Sequence, residues 1–301
     1  MPYVTTNDDA MLYVKTWGSG RPVVLIHGWP LNADSWDDVA LGLAGAGFRT
    51  IAYDRRGFGR SDQPWQGYDY DTLADDLACV IDQCAGGEAG SLVGFSMGGG
   101  EVARYLSRHG TASVTSAALI SSIVPFMMQR DDNPDGVPHD VFDTMKEQIH
   151  DDRFAFLQAF AKQFYGVGFF AKPVGQGVLD AAFAMAIQGG QWPTLACLNA
   201  FATTDFRTDC AAFTVPTLIV HGTADANVPI DASSRHAARL IPHAQLIEYD
   251  GAPHGVLATH KAELTRDLIA FLNGGLSGAG LDRPKETLVT QPAGFALQPS
   301  M

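Results

Sequence analysis

From Pro22 onward, short apolar runs alternate with amphipathic stretches, and this rhythm constrains the fold more than any other feature of the chain. PVVLIH, FRTIAYD and SLVGF are each followed by apolar residues at helical spacing, from about Ser35, over Tyr70–Cys84 and over Met97–His109, the last closed by Gly110. SAALIS, PTLIVHG and AQLIEYD supply three further strands. Runs this short, apolar at nearly every position and separated by helices, pair in parallel in a sheet covered on both faces. Ahead of them, YVTTNDDAMLYVKTW reads as a hairpin turning at Asn7, Asp8 and Asp9. The expected fold is α/β: a mostly parallel, eight-stranded sheet with helices on both faces.

The rhythm breaks between residues 125 and 205. That stretch is helical and aromatic (Phe142, Phe154, Phe156, Phe160, Phe164, Phe183) and holds no convincing strand. It reads as a helical cap inserted between two strands, above the sheet edge where ligands of open α/β sheets bind. The expected division is a core of residues 1–124 and 206–274, a cap of 125–205, and a tail of 275–301. The tail, rich in Gly, Pro and Ser but carrying scattered apolar residues, is expected to pack across a subunit surface as an arm.

Composition excludes several partners. The chain has 20 Lys and Arg against 33 Asp and Glu, a formal net charge of −13, so a nucleic acid would be repelled. The opening segment is polar and acidic, unlike a signal or transit peptide, and no apolar run approaches the ~20 residues of a membrane span. A cytoplasmic location without membrane association is expected. Cys79, Cys84, Cys197 and Cys210 show no C-x-x-C spacing and read as reduced thiols.

One stretch carries chemistry. SLVGFSMGGGEVARYL places Ser96 between Gly94 and Gly98 where a strand runs into a helix. A P-loop would need lysine where Gly100 stands, and a dinucleotide fingerprint would need glycine where Ser96 stands. What remains is G-x-S-x-G, the nucleophile elbow, whose small neighbours relieve the crowding of a strained turn.

A serine hydroxyl needs a base, and the base a third group to orient it, in the chain order Ser, Asp/Glu, His. Asp225 follows the strand PTLIVHG and His254 follows the final strand, so both reach the same sheet edge as Ser96. Asp250 is too close to His254 in sequence and more plausibly fixes its loop; the position after SAALIS holds Ser121 and Ser122 and no carboxylate. Oxyanion donors are expected from the amide of Met97 and from the loop HGWP, where Pro30 has no N–H and Trp29 must supply it. His27 reads as a structural hydrogen-bonding residue, and Asp54 with Arg55, Arg56 and Arg60 as the fixings of a tight turn. The remaining histidines match no metal template.

With those residues assembled, the chain resembles the α/β-hydrolase superfamily, and within it the cofactor-free bacterial haloperoxidases, or perhydrolases, and their aryl-esterase relatives. The resemblance spans about residues 2–274 and rests on HGWPLNADSWD, YDRRGFGRSDQP, GYDYDTLADDL, GFSMGGGEVARY, NPDGVP, FYG, TDFR and GAPHG. It implies a Ser96–Asp225–His254 triad, oxyanion donors at Trp29 and Met97, ester hydrolysis, peracid formation from a carboxylic acid and hydrogen peroxide, and a homo-oligomer, dimeric or built on trimers. Halide is oxidised by released peracid, so no cofactor is expected. Pro30 is the feature associated with perhydrolytic members. Thr223 stands where relatives commonly carry aspartate, and Asn227 where an apolar residue is usual. The substrate pocket is expected from Trp29, Pro30, Phe95, Ile123, Phe126, Phe160, Phe164, Asn227 and Val228, restricting the acyl group to short chains. A C–C bond hydrolase, an amidase or lactamase on the same triad, and a small-molecule receptor on the same fold are the competing readings.

Overall fold

The structure, a computed structural model, describes residues 2–275; the expected tail beyond Gly275 lies outside the described residues. The opening hairpin is β1 (Tyr3–Thr5) and β2 (Met11–Gly18). The parallel strands are β3 (Pro22–Ile26), β4 (Arg49–Tyr53), β5 (Gly90–Phe95), β6 (Val114–Ile120), β7 (Thr217–Gly222) and β8 (Gln245–Tyr249). They form one eight-stranded sheet in the order β1-β2-β4-β3-β5-β6-β7-β8, antiparallel only at β1–β2 and β2–β4. The expected strand count and directions therefore hold.

Strands β3, β5 and β7 are buried at every residue, so both sheet faces must be covered. Two apolar clusters do this. One packs α2 (Tyr70–Cys84) and α3 (Met97–His109) beneath Val24, Leu92 and Leu119. The other packs α1 (Asp37–Gly45) and, near the C-terminus, α9 (Lys261–Leu272) beneath Leu25, Val93 and Ile120. The helix expected from about Ser35 starts as a 3-10 turn, Ala33–Trp36, because the Asn32 side chain accepts the Asp34 N–H at 3.0 Å and caps it there.

The chain leaves β3 toward β4 on one side and returns to β5 on the other. The sheet's topological switch lies between β3 and β5, and a crevice opens beyond their C-terminal ends. Above it, between β6 and β7, irregular chain with two isolated bridges leads into α4 (His139–Phe164), α5 (Gln176–Ala186) and α6 (Gln191–Thr203). Helix α4 kinks at Asp152 (φ −147°, ψ 90°), whose carboxylate accepts the Ala155 N–H at 2.9 Å and caps the second half. The short helices α7 (Ser234–Leu240) and α8 (Val256–Thr259) complete the fold. Among the described residues no helix is long and apolar enough to cross a membrane.

Candidate active site

Ser96 is the single residue between β5 and α3, at φ 54°, ψ −118°. A non-glycine residue with positive φ is costly, and the surrounding bonds impose it: the Ser96 N–H donates to Ile120 O at 2.8 Å, and its carbonyl accepts the Gly99 N–H at 3.0 Å. A Cβ on Gly94 would sit 2.5 Å from Gly98 O, so the chain can turn back this sharply only if the first glycine stays bare. The hydroxyl is thereby held at the N-terminus of α3, above the sheet.

His254 follows β8 and Asp225 follows β7. The Ser96 hydroxyl donates to His254 Nε2 at 2.9 Å, and His254 Nδ1–H donates to Asp225 Oδ2 at 2.6 Å. All three side chains are buried. Asp225 Oδ1 accepts the amides of Asn227 (2.9 Å) and Val228 (2.8 Å). Burial alone would raise the carboxyl's pKa; His254 and His221 at its other oxygen outweigh this and hold it well below the usual carboxylate range. The His254 ring is flanked by Phe95 and Phe164, with centroids at 5.2 and 4.7 Å.

The loop after β3 faces this serine. Gly28 packs so tightly on Phe95 and Ser96 that an added Cβ would lie 2.9 Å from each. The next amide, that of Trp29, meets no acceptor among the described residues, and the Met97 amide, at the first position of α3, has no intrahelical acceptor. Neither N–H group thus has an acceptor among the described residues. His27 Nε2 accepts the Arg55 N–H at 2.9 Å and its Nδ1 lies 3.0 Å from Gly28 O. Burial, with the Arg55 guanidinium beside it, holds this imidazole well below its ordinary pKa. It is the structural residue expected.

The three arginines do not act as one turn. Arg60 alone grips Asp54, at 2.7 Å; Arg56 reaches Asp76 and Asp8; and Arg55 turns inward to Glu101 of α3 and to His27 O. Arg55 and Glu101 are fully buried, so the pair rivets the loop after β4, and through His27 O the loop after β3, to the nucleophile's helix. Thr223 contacts Asp250 and the Gly251 amide, securing the turn after β8 and leaving Asp225 untouched; Asp250 thus fixes that turn, as its position suggested.

Ser96 and His254 open into a cavity of about 550 Å³. Of the residues expected around it, Trp29, Ile123, Phe160, Asn227 and Val228 line it. Four do not. Pro30 is buried within the loop, and Phe95 is fully buried between His254 and Trp36. Phe126 is turned toward the 128–137 segment, under the guanidinium groups of Arg130 and Arg207. Phe164 lies behind His254 and walls a separate, smaller cavity. Sequence reasoning missed Met127, Val137, Met145, Phe156 and Phe201, which come from the segment between β6 and β7 and replace these bulky groups. The cavity is in the range that takes a drug-sized ligand, larger than a short acyl chain needs.

One further polar group was missed. His221, buried in β7, touches Asp225; its signal was a lone histidine in an otherwise apolar strand. Asn227 Oδ1 is buried at the cavity wall without a hydrogen-bond partner among the described residues. Among those residues no group of three or more His, Cys, Asp or Glu side chains converges as a metal site would require.

A family model described as the alpha/beta hydrolase fold matches residues 21–261. The chain is 46% identical over 279 residues to the non-heme chloroperoxidase CPO-A1 of Kitasatospora aureofaciens, covering 91% of this chain and 100% of that one. It is 39% identical to the bifunctional esterase/perhydrolase DCH of Acinetobacter calcoaceticus, covering 90% and 99%. The crystal structure of a bromoperoxidase from Bacillus anthracis superposes with a TM-score of 0.87 at 40% identity, covering 90% and 99%. The chain belongs to the α/β-hydrolase family, as an enzyme of the branch that holds the non-heme chloroperoxidases and esterase/perhydrolases.

Proposed function

We propose that the protein is a serine hydrolase of small carboxylic esters that works through an acyl-enzyme and passes the acyl group to water or to hydrogen peroxide. The observation that carries this reading is the unbroken chain from Ser96 Oγ through His254 to Asp225, at 2.9 and 2.6 Å. Ser96 Oγ attacks the ester carbonyl while His254 Nε2 takes its proton; Asp225 stays charged and steadies the imidazolium. The oxyanion is held by the Trp29 and Met97 amides. The alkoxide leaves with the proton from His254, giving acyl-Ser96 and an alcohol. His254 then deprotonates water or hydrogen peroxide, which displaces Ser96 to give a carboxylic acid or a peracid. Run from a carboxylic acid and peroxide, the same steps release peracid and water; the peracid oxidises halide in solution, returning the carboxylic acid and hypohalous acid. Each proton and electron pair is handled by the triad and its two donors, so the reading calls for no cofactor.

The resemblance to esterase/perhydrolase and chloroperoxidase relatives supports both acceptors. Residues 125–205 act in this reading as a cap that closes the cavity from above. Phe169 and Phe170, 90% and 94% exposed, fit association with further copies of the chain. A cytoplasmic location fits a chain of this composition.

The test is a parallel rate screen, with and without peroxide, over p-nitrophenyl esters of increasing acyl length. A burst of p-nitrophenol followed by a peroxide-accelerated steady state is expected. Absence of a burst, with ligand binding retained, would mark a receptor and end this reading.

A further inference from the structure

His221 is engaged on every polar atom at a place the steps above do not use. It sits near the end of β7, wholly buried. Its Nε2 lies 2.9 Å from Val228 O and 3.1 Å from Asp225 Oδ2. Two acceptors at one nitrogen require that nitrogen to carry hydrogen. Its Nδ1 lies 2.6 Å from the Ser234 hydroxyl, at the first residue of α7. One imidazole therefore ties the strand, the loop that bears Asp225, and the following helix.

We infer that His221 is a positioning residue for the triad acid: its Nε2–H, shared between Val228 O and Asp225 Oδ2, sets the carboxylate for His254 and tempers its basicity. The inference rests on reading Ser96, His254 and Asp225 as the triad. With His221, the Asp225 carboxylate takes four donors, two on each oxygen. A donor that stays in place while His254 gains and loses its proton draws charge from the carboxylate and so weakens its preference for the imidazolium.

Removing the His221 donor leaves Asp225 the stronger acceptor for His254 Nδ1–H and the better stabiliser of the imidazolium, so the acid limb of the rate moves to higher pH. The other charges facing His221 do not cancel this. Glu248 is its neighbour across the β7–β8 register and is neutralised by Arg235 of α7, at 2.8 and 2.6 Å. On the other side β6 presents Ile120 and Ser121, neither charged.

The test is the pH profile of kcat/KM for p-nitrophenyl acetate in His221→Leu and His221→Gln, with thermal melts of both. In His221→Leu the acid limb should move to higher pH by about half to one pH unit, and plateau kcat should fall roughly tenfold with KM little changed. His221→Gln places an amide N–H near the Nε2 position and should restore the wild-type limb. A histidine that only fills the core would lower Tm and leave the limb where it was. A folded His221→Leu with the wild-type limb therefore overturns the inference. If that variant does not fold, His221→Asn carries the same test, because its amide is polar but too short to reach Oδ2. Ser96→Ala is run alongside: activity surviving there sinks the triad reading itself, whereas a dead Ser96→Ala with an unmoved His221→Leu limb sinks only the role given to His221.

Discussion

Gly28 stands so close to Ser96 that a Cβ on it would fall 2.9 Å from Ser96 Cβ and from the Phe95 ring, a closeness on which the proposed oxyanion site would depend. The backbone of the loop after β3 thus packs directly on the Ser96 Cβ and the Phe95 ring. Gly28→Ala must push the loop and the serine turn apart. Displacement of this order should lower kcat for p-nitrophenyl acetate by roughly 10²-fold. A variant with unchanged kcat would show that the loop does not need this closeness.

Ser96→Ala should retain the fold, because the surrounding bonds that hold residue 96 at positive φ are made by its backbone. Its kcat should drop by about 10³–10⁶, since nucleophile and base act as a unit. Ester turnover by stopped assay, with circular dichroism for the fold, checks both halves.

The carboxyl of Asp225 is held well below the usual range, so it stays charged as the pH falls through the neutral and mildly acidic region. Log kcat/KM should then decline with unit slope on its acid side; a slope of two would mean that Asp225 titrates as well. The stability consequence has a definite sign. A depressed folded pKa stabilises the protein above the unfolded carboxyl value, about 3.9, and that contribution is lost progressively as pH falls below it. Acid melts of wild type and Asp225→Asn should converge there.

Asn227 Oδ1 has no partner among the described residues and stands on the cavity wall. A buried polar atom without a bond costs roughly 1–3 kcal/mol. Asn227→Leu should therefore leave Tm unchanged or raise it, while shifting preference from esters with a hydroxyl near the carbonyl toward purely apolar ones. Equal selectivity in both proteins would remove Asn227 from substrate choice.

The Arg55–Glu101 pair is fully buried, and removing one partner strands the other. Arg55→Met should cost roughly 3–5 kcal/mol and lower Tm by about 10 °C. Calorimetry decides, and a near-neutral result would mean that Glu101 takes up a proton at little cost.

The sheet was legible because its signal is local. SLVGF, PTLIVHG and the rest are apolar at consecutive positions, which only a strand covered on both faces tolerates, and the Tyr70–Cys84 and Met97–His109 helices keep the expected bounds. Ser96, Asp225 and His254 could be named because each follows a recognisable strand at one edge of a parallel sheet, so strand order brings them together. The cavity was not legible in the same way. Phe126 and Phe164 point elsewhere, and Phe156 and Phe201 point in, because the path of the chain between β6 and β7 is set by contacts with distant segments, such as the Trp29 indole donating to Thr194 O at 3.0 Å. His221 was hidden for the same reason: its neighbour Asp225 is near in sequence, but the Ser234 hydroxyl and Val228 carbonyl that orient its ring are placed by how α7 folds back on β7. The sequence by itself determined the periodicity, the strand ends and the residue types delivered to one edge. Only the tertiary structure decided which side chains face one another across that edge, because hydrogen-bond angles and ring orientations depend on packing between segments that sequence spacing does not relate.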